Sequence, residues 1–495
     1  MAPVFESVAD AVGGTPLFRL RGLGRGLAAP VYAKAEFFSV GGSVKDRAAL
    51  AMVEAAERDG VLRPGGTIVE ATSGNTGIGL AVVGRQRGYR VVVVVSDRSA
   101  QEKVDILRAY GAEVIIGTGA VPRQHPDHLS NVARRLAEET PGGWLASQYD
   151  NPANPLAHVA TTGPEIWEQT GGRVTHFVAG VGTGGTISGT GRYLKEVSAG
   201  RVRAIGADPE NSVYSGGDGS PYYVESIGHF LHPETAEDHW PESFHPDVVD
   251  QFERVSDRES LETTRRLARE DGLLAGPSSG TAVAAALRVA RDLSPSDLVV
   301  VLLPDSGRSY LSKVFSDDWM RRWGFLEEAL DGGRTVADAL AVHGVNGKHA
   351  SLVTVGTTAT VGEALAAAGV PVTGDALAAR DAARPGGQTV ALVVTPRPSR
   401  PYGLTAAEVT GSLPVARLSR DLAVGRVRPG DPVAGYAGAP LPTVGTGQSV
   451  PAALDALGAE GTFPDAVLVL RDGRAHAVLT RTELLSALTP GSSLA

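Results

Sequence analysis

One lysine of this chain lies inside a turn-forming stretch that precedes a predicted helix. The stretch reads GGSVKDR at 41–47, and its lysine is Lys45. Two further turn-forming stretches follow, TSGNTG at 72–77 and VGTGGT at 181–186. A lysine that is neutral part of the time can form an imine, and turns rich in amides and hydroxyls bind carboxylates or phosphates. Together the three stretches predict a site for pyridoxal phosphate, which carries both an aldehyde and a phosphate. A surface lysine at a helix start is the alternative for Lys45 taken alone.

The glycine-rich turn is the predicted phosphate site. Gly182, Gly184 and Gly185 let backbone amides converge on an anion, and Thr183 and Thr186 add hydroxyl donors. The stretch lacks the GK[ST] ending of an ATP-binding loop. A tight turn without a ligand is the structural alternative, since one glycine-rich turn alone is weak evidence.

The TSGNTG stretch is the predicted carboxylate site. Thr72, Ser73 and Thr76 offer hydroxyls and amides at a helix start, where an anion is stabilised. Asn75 offers an amide that could bond a phenolate oxygen of the cofactor. Helix capping with turn glycines is the alternative for any one of these residues.

A serine at the start of another predicted helix completes the set. The stretch GPSSGTAV at 276–283 contains Ser278, whose hydroxyl could bond a pyridine nitrogen. A hydroxyl there leaves the nitrogen largely uncharged, which suits β-elimination and β-replacement more than transamination. A capping serine is again the alternative.

Composition excludes several classes of protein. A net charge of −9 argues against binding to nucleic acid or to an anionic membrane surface. The absence of cysteine excludes disulfides, thiolate nucleophiles and zinc–thiolate sites, and the eleven histidines show no metal-binding spacing. The amino terminus has no basic apolar leader, and the apolar runs are too short to span a bilayer. We therefore expect a cytoplasmic protein with no metal.

An alternating α/β pattern extends over residues 1–325. Continuous Val/Ile/Leu runs predict strands that are covered on both faces, at 66–72, 90–97, 112–117, 175–181, 202–208 and 297–305. Helical patterns lie between them, for example at 43–60 and 260–272. Such alternation predicts parallel sheets with ligand sites at the carboxyl ends of the strands, where both turns lie.

The composition changes after about residue 325. Residues 326–350 are predicted to be a linker, and residues 351–495 are rich in Ala, Gly, Pro and Val. Two internal similarities pair 358–369 with 447–459 and 402–413 with 476–488. They predict a module of two βαββα repeats.

These stretches, in this order, resemble the fold-type II pyridoxal-phosphate enzymes of the cysteine synthase/cystathionine β-synthase family. The resemblance covers roughly residues 5–325 and includes VGGTPL (12–17), EKVDILRAYGAEV (102–114), QYDNPANPLAH (148–158), TTGPEIW (161–167) and PDSGRSYLSKVF (304–315). It implies an α/β core over 1–325, built of two three-layer αβα subdomains, with the smaller one, roughly 40–150, inserted in the larger.

The resemblance also implies a role for each candidate residue. Lys45 would carry the cofactor covalently, Asn75 would bond its 3′-oxygen, Gly182 through Thr186 would hold the phosphate, and Ser278 would face the ring nitrogen. Thr72, Ser73, Thr76 and Gln148 would bind the amino-acid carboxylate. Tyr149 lies beside the site in cystathionine β-synthases.

The implied reaction is a β-replacement on L-serine or an O-activated serine through an α-aminoacrylate. The leading expectation is cystathionine β-synthase activity, with L-homocysteine as the thiol. The alternatives are a cysteine synthase that uses O-acetyl- or O-phosphoserine and sulfide, and a specialised enzyme that makes another β-substituted alanine. A non-enzymatic protein whose tail senses nucleotides is an alternative of a different class.

The tail resembles a degenerate pair of CBS domains, an α+β module that binds adenosyl ligands in other proteins. The Asp that often contacts the ribose after a Thr is replaced by Glu408 after Thr405 and by Glu483 after Thr480. An adenosyl ligand is therefore open, and a structural or dimerising tail is at least as well supported. The resemblance implies a homodimer or higher homo-oligomer, and we expect no haem.

The chain departs from the family pattern at several positions. Ser39-Val40 stands where Asn-Pro is usual, and Ala71 replaces a common proline. Ser226 occupies a usual glycine position beside the substrate channel, and Pro277 replaces a usual glycine before Ser278. These departures leave the cofactor contacts intact and put the identity of the substrate in question.

Overall fold

The computed structural model describes residues 4–97, 99–118, 121–327, 333–342, 352–370, 390–397, 399–458 and 465–488. The chain divides into two compact units, Met1–Phe315 and Ser316–Ala495. The boundary falls shortly before residue 325, where the composition changes. Among the described residues, no helix is both long enough and apolar enough to cross a bilayer.

The first unit alternates strands with helices. Its strands are β1 Leu17–Arg19, β2 Val31–Ala35, β3 Thr67–Thr72, β4 Arg90–Ser96, β5 Glu113–Gly117, β6 Gly143–Leu145, β7 His176–Gly180, β8 Arg203–Pro209, β9 Gln251–Val255 and β10 Val299–Leu303. Its helices are α1 Lys45–Arg58, α2 Asn75–Gln86, α3 Gln101–Ala109, α4 Leu129–Glu139, α5 Ala153–Ala157, α6 Gly163–Gln169, α7 Gly185–Val197, α8 Asp257–Asp271 and α9 Pro277–Arg291.

Two sheets organise this unit. The larger has the strand order β1-β2-β10-β7-β8-β9 and is parallel except for β1. The smaller has the order β5-β4-β3-β6 and is parallel throughout. The carboxyl ends of parallel strands lie at the same edge of their sheet. The loops after β7 and β10 therefore share one edge of the larger sheet, and the loop after β3 lies at the corresponding edge of the smaller sheet.

Apolar cores lie on both faces of each sheet. Alternate residues of β10 enter different cores: Val299 and Val301 pack with α9, whereas Val300 and Leu302 pack with Ile187 of α7. In the smaller sheet, Val93 packs against α1, α2 and α3, and Val92 and Val94 pack against α4. Each sheet is thus the middle of three layers, which confirms the predicted α/β fold.

The six predicted strands correspond to β3, β4, β5, β7, β8 and β10, with ends that differ by at most two residues. The patterns at 43–60 and 260–272 correspond to α1 and α8. The remaining strands were not predicted. β1 and β6 have three residues each, β9 has three polar residues among its five, and β2 contains Lys34. None of them is a continuous apolar run.

The second unit contains two similar halves. Its helices are α10 Asp317–Arg322, α11 Val336–Val342, α12 Val361–Ala367, α13 Val415–Ala423, α14 Val450–Leu457 and α15 Arg481–Ala487. Its strands are β11 Thr354–Gly356, β12 Val390–Val394, β13 Val409–Pro414, β14 Thr443–Gly445, β15 Ala466–Arg471 and β16 Arg474–Thr480. Two three-stranded sheets, β11-β12-β13 and β14-β15-β16, each combine one parallel and one antiparallel pair.

Both halves follow the βαββα order that the repeat predicts. The first sequence similarity is structural, because 358–369 contains α12 and 447–459 contains α14. The second sequence similarity does not pair equivalent elements. Residues 402–413 lead into β13, whereas residues 476–488 cover the end of β16 and α15. Both segments begin a helical turn with a Thr and a Glu, and this shared capping sequence accounts for their likeness.

The predicted linker at 326–350 contains a helix. Val336, Ala339 and Leu340 of α11 are buried in a core with residues of β14, β15 and α15. The sequence VADALAV has helical spacing of its apolar residues, which the polar and glycine-rich flanks concealed. Residues 328–332 and 343–350 of the predicted linker lie outside the described residues.

Candidate active site

Lys45 is the first residue of α1 and lies beside the carboxyl end of β10. Val44 N donates to Pro304 O at 2.8 Å, which joins the start of the helix to the residue after β10. Gly42 adopts φ +82°, and Gly41 N donates to a carboxylate oxygen of Asp46 at 2.7 Å. This turn demands glycine at Gly42 because φ is positive there. It directs Lys45 into the cavity described below.

The environment of Lys45 favours its neutral form. Burial lowers the pKa of Lys45 to about 8, against the opposing effect of the Asp305 carboxylate, and the charge of Lys103 lowers it further. An amine with this pKa is partly neutral near neutral pH, which is the state that attacks a carbonyl or accepts a proton.

A buried ion-pair network holds α1 in place. Arg47 binds Glu36 through two nitrogens, at 2.7 and 3.0 Å, and also binds Glu165. Lys34 donates to the same Glu165 at 2.6 Å. Because Arg47 is two residues from Lys45, this network sets the position of the helix end that carries the lysine.

The stretch at 72–77 turns sharply from β3 into α2. Gly74 adopts φ +127°, and a Cβ there would lie 2.7 Å from the side chain of Lys103. Thr76 donates from its hydroxyl to the side-chain oxygen of Gln148, which brings these two predicted carboxylate-binding residues together. Asn75 donates from its amide to Asp305 at 2.8 Å. Thr72, Asn75 and Thr76 are buried, as helix-start donors in a closed site would be.

Glu70, two residues before this turn, lies behind it. Its carboxylate accepts from Ala71 N at 2.9 Å and from Gln148 N at 3.1 Å. Burial raises the pKa of Glu70 to about 8, although both backbone amides act in the opposite direction. Glu70 therefore ties the end of β3 to the segment that carries Gln148.

The glycine-rich turn leads from β7 into α7. Gly184 adopts φ +85°, and a Cβ on Gly182 would lie 2.6 Å from Ser226 O. Hydroxyl groups of Thr183 and Thr186 contact Asn154 at 3.1 Å and His158 at 3.3 Å. The turn leaves no room for side chains at its glycines, and the first amides of α7 point out of the helix without an intrahelical partner.

Ser278 lies in the first turn of α9 and is fully buried. Its hydroxyl oxygen has no hydrogen-bond partner among the described residues. A buried hydroxyl without a partner is costly, so a group absent from the structure is expected to complete it. The ring nitrogen of pyridoxal phosphate has the chemistry to do so. On this observation the residues fit that cofactor.

A cavity of about 360 Å³ joins most of the predicted residues. Lys45, Thr72, Ser73, Asn75, Thr76, Gln148, Tyr149, Gly182, Thr183 and Ser226 line it. A small adjoining cavity of about 20 Å³ is lined by Lys45, Asn75, Gly182, Thr183, Gly184, Thr186 and Ser226. Gly185 and Ser278 do not line either cavity. A Cβ on Gly185 would collide with the Asn154 amide, so this glycine serves close packing.

Ser226 has an unusual backbone conformation. Its φ is +73°, which lies in the left-handed region that favours glycine. Its hydroxyl lies 3.3 Å from the hydroxyl of Ser73 and 3.4 Å from Lys103 Nζ. The departure from glycine thus creates a contact with a predicted carboxylate-binding residue.

Sequence reasoning missed several residues that support the site, namely Glu70, Arg47, Asn154, His158 and Asp305. Each acts through a partner that is distant in sequence: Asp305 binds Asn75 across 230 residues, and Asn154 binds Thr183 across 29. The quoted stretches contain Arg47, Asn154, His158 and Asp305, but a stretch alone does not say which neighbour a side chain meets. In the described part of the chain, no cluster of His, Asp or Glu is arranged to hold a metal ion.

The family model described as "Pyridoxal-phosphate dependent enzyme" matches residues 8–305. Cystathionine beta-synthase of Apis mellifera is 41% identical over 331 residues, which cover 66% of this chain and 64% of that protein. Cysteine synthase 1 of Neurospora crassa is 43% identical over 330 residues, 65% of this chain and 86% of that protein. The chain thus spans less than two thirds of the length of that cystathionine beta-synthase.

A solved structure is also similar. The O-acetylserine dependent cystathionine beta-synthase from Helicobacter pylori has a TM-score of 0.58 and 37% sequence identity, and the match covers 63% of this chain and 99% of that one. The match of the family model over residues 8–305 agrees with the position of the cavity, whose lining residues all lie within that range. The chain belongs to the family of pyridoxal-phosphate dependent enzymes.

Proposed function

We propose that this enzyme catalyses a β-replacement on L-serine or an O-activated serine, with an amino-acid thiol as the nucleophile. With L-serine and L-homocysteine the products would be L-cystathionine and water. The observation that carries this choice is the extent of the cavity. Beyond the predicted cofactor and carboxylate residues it continues to Arg123, His128 and Phe230. Sulfide would need no such additional surface, whereas an amino-acid thiol would use it.

Each residue of the site has a role in the proposed reaction. Lys45 would hold the cofactor, with residues 182–186 at its phosphate, Ser278 at its ring nitrogen and Asn75 at its 3′-oxygen. Pyridoxal phosphate, when bound, supplies an electron sink for the pair left at Cα. Thr72, Ser73, Thr76 and Gln148 would bind the carboxylate of the serine substrate through hydroxyl, amide and backbone N–H groups.

Lys45 would also move the proton. Its pKa of about 8 allows the free amine to take a proton from Cα and later to return it. Between these two transfers the β-oxygen substituent leaves with its electron pair, and the thiol sulfur forms a bond to Cβ.

Cysteine synthase activity with O-acetyl- or O-phosphoserine and sulfide is the second candidate. The similarity to cysteine synthase 1 of Neurospora crassa favours it, at an identity close to that of the cystathionine beta-synthase. The Ser73–Ser226 contact favours the third reading, a specialised β-substituted alanine synthase, because it alters the substrate channel.

Three expectations about the whole protein stay predictions. They are a CBS-domain pair over 351–495, a homodimer or higher homo-oligomer, and a cytoplasmic location. In the second unit, Glu408 and Glu483 accept hydrogen bonds from Thr405 and Thr480 in capping boxes. Glu408 also pairs with Arg397. These contacts support a structural tail over an adenosyl-binding one, because they occupy the carboxylates at the predicted ribose positions.

The Lys45→Ala variant tests the reaction. We expect the purified wild-type protein to be yellow and to form a thioether from L-serine or O-acetylserine and L-homocysteine, as measured by mass spectrometry. Lys45→Ala should lose the covalently held cofactor absorbance and at least about 10³-fold in turnover, since it lacks both the imine and the proton carrier. Lys195→Ala, on the outer part of α7, is the matched control and should keep both. Full turnover by Lys45→Ala would contradict the proposal.

A further inference from the structure

Arg123 and His128 line the cavity that contains Lys45, in the part that extends beyond the predicted cofactor and carboxylate residues. Both belong to the segment that connects β5 to α4. The side-chain amide of Asn131 donates to Arg123 O at 2.8 Å and to His125 O at 2.9 Å. The backbone of Arg123 is therefore held by α4.

The other charged groups that line this cavity are already paired. Glu225 forms ion pairs with Lys103 and Lys313, and His229 bonds to Asp238 at 2.7 Å. Arg123 makes no ion pair and no side-chain hydrogen bond with any residue in the described ranges. Among the described residues that line this cavity, Arg123 and Lys45 are the cations without a carboxylate partner.

His128 does not share this role. Its Nδ1 accepts from Ser130 N at 3.3 Å and so caps α4. Burial and the nearby positive charge of Arg123 lower the pKa of His128, so the imidazole is neutral at neutral pH. The guanidinium is thus the permanent charge on this wall of the cavity.

We infer that Arg123 binds the carboxylate of the amino-acid thiol and thereby selects this substrate over sulfide. The inference rests on the proposed function, which requires two amino acids in one cavity. The carboxylate of the serine substrate has the 72–76 turn and Gln148, so the second carboxylate needs another partner. A guanidinium binds a carboxylate through two parallel hydrogen bonds. Arg123 is a specificity-determining residue in this account.

Another anion could use the same guanidinium. The phosphate of O-phosphoserine is also an anion, and two of its oxygens can accept parallel hydrogen bonds from one guanidinium. The serine donor, however, is placed by its own carboxylate in the 72–76 turn, whereas Arg123 lies on a different segment. We therefore assign Arg123 to the thiol substrate, and the experiment below includes the phosphate as a separate arm.

The test is equilibrium binding to the holoenzyme by titration calorimetry, which does not depend on turnover. The ligands are L-cystathionine and S-(3-aminopropyl)-L-cysteine, which lacks only the distal carboxylate, and a separate arm uses O-phospho-L-serine. We expect the wild type to bind L-cystathionine about 10- to 100-fold more tightly, the range of a charged hydrogen-bonded pair. Arg123→Gln should bind both ligands with similar affinity, close to that of the wild type for the analogue.

Two variants control for charge and for folding. Arg108→Gln removes an exposed arginine from α3, outside the cavity lining, and should keep the wild-type ratio. Arg123→Lys keeps the charge without the planar fork and should recover part of the discrimination. Wild-type affinity of Arg123→Gln for the analogue also shows that the variant is folded.

Other outcomes would overturn the inference. A wild type that binds both ligands equally, or an Arg123→Gln protein that keeps the preference, would refute it. So would a variant that loses affinity only for O-phosphoserine, which would place the phosphate at Arg123. The proposed function can fail separately. The wild type could discriminate between the two ligands and yet form no thioether from any serine donor. That result would keep Arg123 as a carboxylate-binding residue and exclude the proposed reaction.

Discussion

Glu70 shows how a single buried side chain can support the site without touching a substrate. It is 3% exposed and accepts hydrogen bonds from the backbone amides of Ala71 and Gln148. Both amides belong to segments that carry predicted carboxylate-binding residues. Nothing in the sequence EATSGNTG indicated this role, because a glutamate inside an apolar strand has no local partner that would reveal its contacts.

The raised pKa of Glu70 predicts a pH-dependent contribution to stability. Its folded-state pKa is about 8, above the usual value of 4.5, so the folded state binds this proton more tightly than the unfolded state does. The stabilisation is complete below about pH 4.5 and is lost as the pH rises to about 8. Relative to Glu70→Gln, the wild type should therefore lose about 1.4 kcal/mol of unfolding free energy per pH unit in this window.

Urea unfolding of the apoprotein at several pH values between 5 and 9 measures this difference. Glu138→Gln, a change at an exposed position of α4, should give a curve parallel to that of the wild type. The difference between wild type and Glu70→Gln should become constant above about pH 8. A constant difference across the whole range would show that Glu70 does not titrate as we expect.

At the scale of elements, α1 depends on the network around Arg47. The side chains of Arg47 and Glu36 are 1% and 0% exposed, so neither charge is solvated by water. Removing one partner of such a pair leaves the other buried and uncompensated, which costs about 3–5 kcal/mol. The effect should extend to the cofactor, because α1 begins at Lys45.

Arg47→Ala should therefore lower the unfolding free energy of the catalytic unit by about 3–5 kcal/mol and weaken cofactor retention on dialysis. Arg58→Ala is the matched control on the same helix: its side chain is 71% exposed, and its contact with Asp59 is long, at 3.7 Å. This control should stay within about 0.5 kcal/mol of the wild type. Equal effects of the two substitutions would mean that the buried network does not stabilise α1.

The elements also show which parts of the fold a sequence can predict. β4 and β10 were predicted because their apolar runs are continuous, as burial on both faces requires. β2 was missed because it contains Lys34, whose charge is compensated by Glu165, 131 residues away. α11 was missed because glycines and polar residues surround its short apolar pattern.

For the whole molecule, local motifs predicted the fold and the position of the cavity, since each motif forms one turn at a strand end. The supporting contacts of Glu70, Asp305 and Asn154 could not be predicted, because they join segments that only the tertiary structure brings together. Arg123 was missed for the same reason. A basic residue in a loop is ordinarily solvated, and only the cavity shows that this one faces the site.

We propose above that the nucleophile of this enzyme is an amino-acid thiol. The measurement that tests it most directly is a competition assay on the holoenzyme, with L-serine, O-acetylserine, L-homocysteine and sulfide present together at equal concentrations. Mass spectrometry would quantify the products from initial rates. We predict that L-cystathionine is the main product. Cysteine as the main product, with little or no L-cystathionine, would contradict it and assign the enzyme to the cysteine synthases.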